Sequence, residues 1–243
     1  IEVITPRHQI QPTVDRLIRQ AKILCTAALL LTPAFAQQVQ AAQNTVDDTI
    51  ATCIESEVDI TALTKGLAAS DWHKTENTDL EDLALQSIAA DMMVEHMTGQ
   101  PTTLRWESTW ERNVRTAPGK RRLVRVEGAP SQTYFFVHAN GGSALEVNLQ
   151  KYPNYESLSC DFTVPVTIAN PYLLALSMEA KERNMKPITP LRTSKFDKGD
   201  RTRVLNVTVF QPDAISDLIK APFPYVAAVS VLTSRRLSPE VTQ

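Results

Sequence analysis

Between Ser157 and Ile168 the chain alternates strictly, with Leu158, Cys160, Phe162, Val164, Val166 and Ile168 on one side and mostly polar residues on the other. A period of two with one apolar side predicts a half-buried strand. Pro165 has no N–H to give a ladder, which predicts an edge or a bulge at that point. Tyr134–Ala139 and Ser143–Leu149 flank Asn140-Gly141-Gly142, a hairpin signal because asparagine and glycine tolerate positive φ. Further strands are expected over Leu123–Glu127, Arg203–Phe210 and Tyr225–Leu232.

Ahead of these strands the period is helical. Val46, Ile50, Cys53 and Ile54 recur at helical spacing, with Asp47, Asp48 and Glu55 off the stripe. A second short helix is expected after Asp59, using Ile60, Leu63 and Leu67. A third opens on the capping box Thr78-x-x-Glu81, presents Leu85, Ile88, Ala89, Met92 and Met93 on one face, and stops at Gly99-Gln100-Pro101. Between the later strands, Asn170-Pro171 caps a helix running to about Arg183, and Pro212 opens another to Lys220. These elements predict an α+β fold: an acidic N-terminal helical segment packed on a mainly antiparallel sheet, with one or two inserted helices.

The stretch before the first helix bears on location. Ile23–Ala36 is a 14-residue apolar run preceded by Arg16, Arg19 and Lys22, and it ends in Ala34-Phe35-Ala36. That is the pattern of a cleavable secretory signal, and the run falls short of the roughly 20 apolar residues of a membrane-spanning helix. Residues 1–36 are therefore expected to be an upstream segment plus signal peptide. Residues 37–243 are expected to form a single mature domain, periplasmic or secreted, with no transmembrane segment. The chain opens on Ile1 and its first methionine is Met92. The expectation is a start inside a longer reading frame or at a non-AUG codon near Val14 or Leu17, which would point to a bacterium.

Charge divides the mature part unevenly. Residues 37–97 carry 12 acidic side chains against Lys65 and Lys74, whereas residues 98–243 have a net charge of +6. Docking of the acidic segment on the basic remainder is the expected use of that contrast. Cys53 and Cys160 both lie on apolar stripes and, in an oxidising compartment, are expected to form a disulfide.

No phosphate loop, dinucleotide fingerprint, nucleophile elbow or zinc-protease motif occurs, and only seven glycines are present. No cofactor and no nucleic-acid partner are expected. Asp91, Glu95 and His96 do not converge on one helix face, so no metal site is expected either. The densest basic cluster is Arg112, Arg115, Lys120, Arg121, Arg122 and Arg125, just after Trp106 and Trp110, with Pro118-Gly119 reading as the turn of an exposed hairpin. Cations interleaved with aromatics suit an anionic partner. Arg112, Arg115, Arg121, Arg122 and Arg125, with Trp106 and Trp110 as contact surface, are the expected binding residues. The function expected is that of an exported, non-enzymatic protein that binds another macromolecule or an anionic envelope component. Two alternatives are a small secreted hydrolase using His138 beside Ser143 or Asp161, and a structural subunit assembling through a strand edge.

Overall fold

Thr45 and the stripe of Val46, Thr49 and Cys53 start the described part of the chain as a helix, α1 (45–55), whose stripe is buried. The computed structural model describes residues 45–56, 58–75, 82–120, 130–140 and 142–237. The segment Ile23–Ala36, the Thr78–Glu81 capping box and the strand expected over Leu123–Glu127 lie outside the described residues.

Asp59 caps the second helix, α2 (Ile60–Ala68), by accepting hydrogen bonds from the backbone N–H groups of Thr61 and Ala62. It packs tightly on α1: a Cβ added to Gly66 would sit 2.5 Å from Cγ2 of Thr52. The chain then forms β1 (Trp72–Thr75), α3 (Asp82–Met97), α4 (Trp106–Lys120), β2 (Ser131–His138), β3 (Ala144–Tyr152) and β4 (Tyr155–Pro165). It continues through α5 (Pro171–Glu182), β5 (Ile188–Lys198), β6 (Arg201–Phe210), α6 (Pro212–Ile219) and β7 (Tyr225–Arg236). Asn170 caps α5 by accepting from the N–H of Leu173 at 2.9 Å, and its amide also donates to Asp47 on α1 at 3.0 Å. Burial raises the Asp47 carboxyl above its ordinary value, and the Asn170 hydrogen bond works against that rise.

The seven described strands form one sheet in the order β1-β2-β3-β4-β7-β6-β5, antiparallel at every pairing. The fold is α+β. Pro165 sits at a register shift between β4 and β7, so it marks a bulge; β4 is not an edge, being paired to both β3 and β7. Helices lie on both faces. On the first face, α1, α2 and α5 cover an apolar layer that includes Tyr134, Val147, Phe162, Val207 and Val231. On the second face, α3, α4 and α6 cover Phe135, Ala144, Ile188, Phe210, Tyr225 and Ala228.

Those second-face residues all lie toward one end of the sheet, here called the head. Beyond them, toward the foot where Tyr155 pairs with Arg236 and Lys198 with Arg201, the second face becomes polar: Asn148, Ser159, Ser230 and Asn206 follow Ala144, Thr163 and Ala228 along their strands. The acidic segment is thus split across the sheet, α1 and α2 on one face and α3 on the other. Within the strand-rich part, ion pairs include Lys181–Asp213 and Arg235–Glu156.

The two faces are anchored differently. On the first, Cys53 of α1 is bonded to Cys160 in the middle of β4, with Cα atoms 6.3 Å apart. On the second, the Ser87 hydroxyl of α3 lies 2.6 Å from the Thr163 hydroxyl and accepts from the N–H of Ala144 at 2.9 Å. Among the described residues no helix is long and apolar enough to cross a membrane.

Candidate functional site

Two hairpins and the central strand β7 bring together cations that are far apart in sequence. The β5–β6 hairpin turns at Gly199-Asp200, where Gly199 has φ +64°, a conformation that side-chain-bearing residues rarely adopt. The register sets Lys198 opposite Arg201 and Phe196 opposite Arg203. Alongside, β7 sets Arg235 opposite Arg201, and β4 sets Glu156 opposite Arg235 and Tyr155 opposite Arg236. Lys195, Lys198, Arg201, Arg203, Arg235 and Arg236 therefore share the foot of the sheet with three acids, Glu156, Asp197 and Asp200.

The acids are partly committed. Glu156 forms an ion pair with Nη2 of Arg235, and its side chain keeps only 12% exposure. Asp197 accepts from the Thr202 hydroxyl at 2.6 Å and meets Lys195 Nζ at 3.1 Å. The Thr202 hydrogen bond and then the lysine hold its carboxyl below the ordinary carboxylate range. Asp200 lies 3.9 Å from Arg201. The Nε atoms of Arg203 and Arg235 are buried without a hydrogen-bond partner. A buried donor left in that state costs on the order of 1–3 kcal/mol.

A groove of about 830 Å³ opens at this foot, bordered by Asn154, Tyr155, Lys195, Asp197, Thr202 and Arg236. Its volume lies in the range of small-molecule sites, about 300–1,000 Å³. Tyr155 is 37% exposed and stacks on Tyr152 of the same hairpin, ring centroids 4.7 Å apart and planes 23° from parallel. Tyr152 does not border the groove, so it backs Tyr155 while Tyr155 walls the cavity. A smaller hollow of about 370 Å³ lies farther up the second face against α3, over Asn206 and Ser230.

The residues singled out from sequence are placed elsewhere. Trp106 and Trp110 are 1% and 6% exposed and belong to the core beneath α4, so they are not contact surface. With Asn113 and Ala117 they form the inner stripe of that helix. Trp106 donates from Nε1 to the Pro101 carbonyl at 3.1 Å, and Trp110 meets Phe223 edge to face at 5.6 Å. Pro118-Gly119 is not a hairpin turn; both residues lie in the last turn of α4. Arg112 and Arg115 are exposed on the outer side of α4, together with Glu107 and Glu111. Acids toward the N-terminus and cations toward the C-terminus are the distribution that the helix dipole favours. Arg121, Arg122 and Arg125 lie outside the described residues.

His138 is 7% exposed and sits edge to face against Trp72, ring centroids 5.2 Å apart. Its Nδ1 accepts from the N–H of Asn140 at 3.4 Å, and its Nε2 has no partner. Burial pulls its pKa below the ordinary histidine value, against smaller opposing contributions from Asn140 and Asp71. Neither ring nitrogen is hydrogen-bonded to Ser143 or Asp161. The Ser143 hydroxyl donates to the Thr163 carbonyl at 2.6 Å, and Asp161 alternates onto the opposite face of the sheet from Phe162, which packs on Trp72 with the histidine. His96 and Glu95 are exposed near the end of α3, and among the described residues no three metal-ligating side chains cluster.

No family model, no curated protein and no solved structure matches this chain. The foot is accordingly interpreted on its geometry alone. The cationic rim of Lys195, Arg235 and Arg236 and the aromatic wall of Tyr155 together suit an anionic ligand with an apolar face.

Proposed function

We propose that the chain is an exported binding protein that holds an anionic component of the cell envelope at the foot of its sheet. The observation that carries this reading is the groove bordered by Lys195, Arg235 and Arg236, cations that β5 and β7 bring to the foot from distant parts of the sequence. Export is supported by the signal-like segment Ile23–Ala36 and by the Cys53–Cys160 bond, which suits an oxidising compartment. The mechanism is charge attraction: an anion in the groove offsets the mutual repulsion of Lys195, Arg235 and Arg236.

Binding to polyphosphate, a polyanion with no sugar or protein character, tests the reading by calorimetry at low and high salt. Affinity is expected to fall as salt rises, because contacts at an exposed rim are screened. Lys195→Glu with Arg236→Glu reverses two exposed charges bordering the groove and should weaken binding by about tenfold or more, since each 1.4 kcal/mol is a factor of ten. Arg112→Glu with Arg115→Glu on α4 should leave it unchanged. The reverse ranking would move the site to α4 and overturn this assignment.

A further inference from the structure

The ligand class follows from the one part of the groove that charge does not explain, its aromatic wall. Resting on the proposed anion-binding role, we infer that the foot groove takes an acidic oligosaccharide, with one sugar ring laid on Tyr155 and its carboxylate turned toward Arg236. Tyr155 and Arg236 are cross-strand partners, so the aromatic ring and the guanidinium stand side by side on neighbouring strands. A pyranose has one face of C–H bonds and a rim of hydroxyls. The C–H face is attracted to the negative face of an aromatic ring, whereas a phosphate chain gains nothing there.

The remaining lining matches the hydroxyl rim. Asn154 offers an amide that both donates and accepts, and Thr202 and Ser234 offer hydroxyls. Asp197 is held in place from two sides, by Thr202 and Lys195, which presets an acceptor for sugar hydroxyls. Tyr152 stacked behind Tyr155 fixes the wall before the ligand arrives, so less side-chain freedom is lost on binding. Arg236 is also positioned by its backbone, whose N–H donates to the Asp200 carbonyl at 2.9 Å, tying the end of β7 to the hairpin turn. A fully basic groove would suit any polyanion; two acids and an aromatic wall select for hydroxyls and C–H surface as well.

The test is calorimetric titration of the full chain and its variants with oligogalacturonate, with a neutral malto-oligosaccharide and with polyphosphate. Oligogalacturonate is expected to bind most tightly and the neutral sugar weakly. Tyr155→Ala should cost oligogalacturonate about tenfold in affinity, the scale of one aromatic contact, and cost polyphosphate severalfold less than that. Tyr155→Phe, which keeps the ring, should retain oligogalacturonate binding and guards against a folding defect. If Tyr155→Ala affects neither ligand, the sugar assignment falls while the anion site stands. If polyphosphate and oligogalacturonate both fail to bind, the proposed function itself falls. Equal affinity for the neutral sugar would remove the acidic requirement and overturn the inference as stated.

Discussion

The head and the foot of the same sheet are built on opposite terms. At the head, helices close both faces and the strand residues are large and apolar: Phe135, Phe210 and Tyr225 on one side, Phe136, Phe162 and Val209 on the other. Tyr225 illustrates how dry it is, since burial pushes its phenol far above the ordinary tyrosine range while its hydroxyl donates to the Leu83 carbonyl at 3.2 Å. At the foot the same strands carry lysine, arginine and aspartate, and two guanidinium Nε atoms lack partners. The contrast teaches where stability resides: burial at the head sets the fold, which leaves the foot able to carry repulsive charge.

Four experiments press on that division, and the first should have the largest effect. Replacing Cys53 and Cys160 together by alanine opens a bridge spanning 107 residues. The chain-entropy model gives about 4–5 kcal/mol for a loop of this size. Denaturant midpoints should fall accordingly, whereas polyphosphate affinity of the folded protein should hold; a variant as stable as the parent would deny the bond its role.

Ser87→Ala strips the hydroxyl that joins α3 to Thr163 and Ala144 on the other face. It should destabilise by about 1–3 kcal/mol, the cost of leaving buried polar groups unmatched. Urea melts read this, with foot binding again unaffected.

A smaller effect concerns pH. Burial lowers the pKa of His138 in the folded chain below that of the unfolded chain, where a histidine titrates near 6.5. The unfolded state therefore binds more protons as pH falls below about 6.5, and stability should drop from pH 7 toward 5. His138→Phe keeps the edge contact with Trp72 and should flatten that part of the pH profile. A slope that survives the substitution would assign the proton uptake elsewhere.

Smallest of all in stability is the foot itself. Lys195→Glu with Arg236→Glu should shift unfolding by no more than about 0.5 kcal/mol, as expected of exposed positions. Should this pair unfold the protein, recognition and stability would not be separate in the way the two ends suggest.

The sequence was a good guide to the head and a poor one to the foot, for identifiable reasons. Regular alternation from Leu158 to Val164, the Asn170-Pro171 cap and the pairing of Cys53 with Cys160 are local or stripe-based signals, and each corresponds to an observed element. Helix α4 was hidden because Pro118-Gly119 imitates a turn and only one narrow stripe of the helix is apolar. Strand β5 was hidden because an edge strand need not alternate cleanly, and Pro190 sits at its bulge. A signal for it existed: Lys198-Gly199-Asp200-Arg201 is a glycine-containing two-residue turn between extended runs. The cationic foot had no linear signature at all, because residues 195–203 meet residues 235–236 only once strand order is known.

That strand order also governs how the molecule can assemble during synthesis. The strand between β4 and β6 is β7, the last of the described strands in sequence, so the β2–β4 meander and the β5–β6 hairpin have no direct pairing with one another. Until residues 225–236 have emerged, the two half-sheets remain separate, each with an unfilled edge. Such non-local pairing is slow to form. The sheet therefore stays in two halves until one strand has paired on both of its sides.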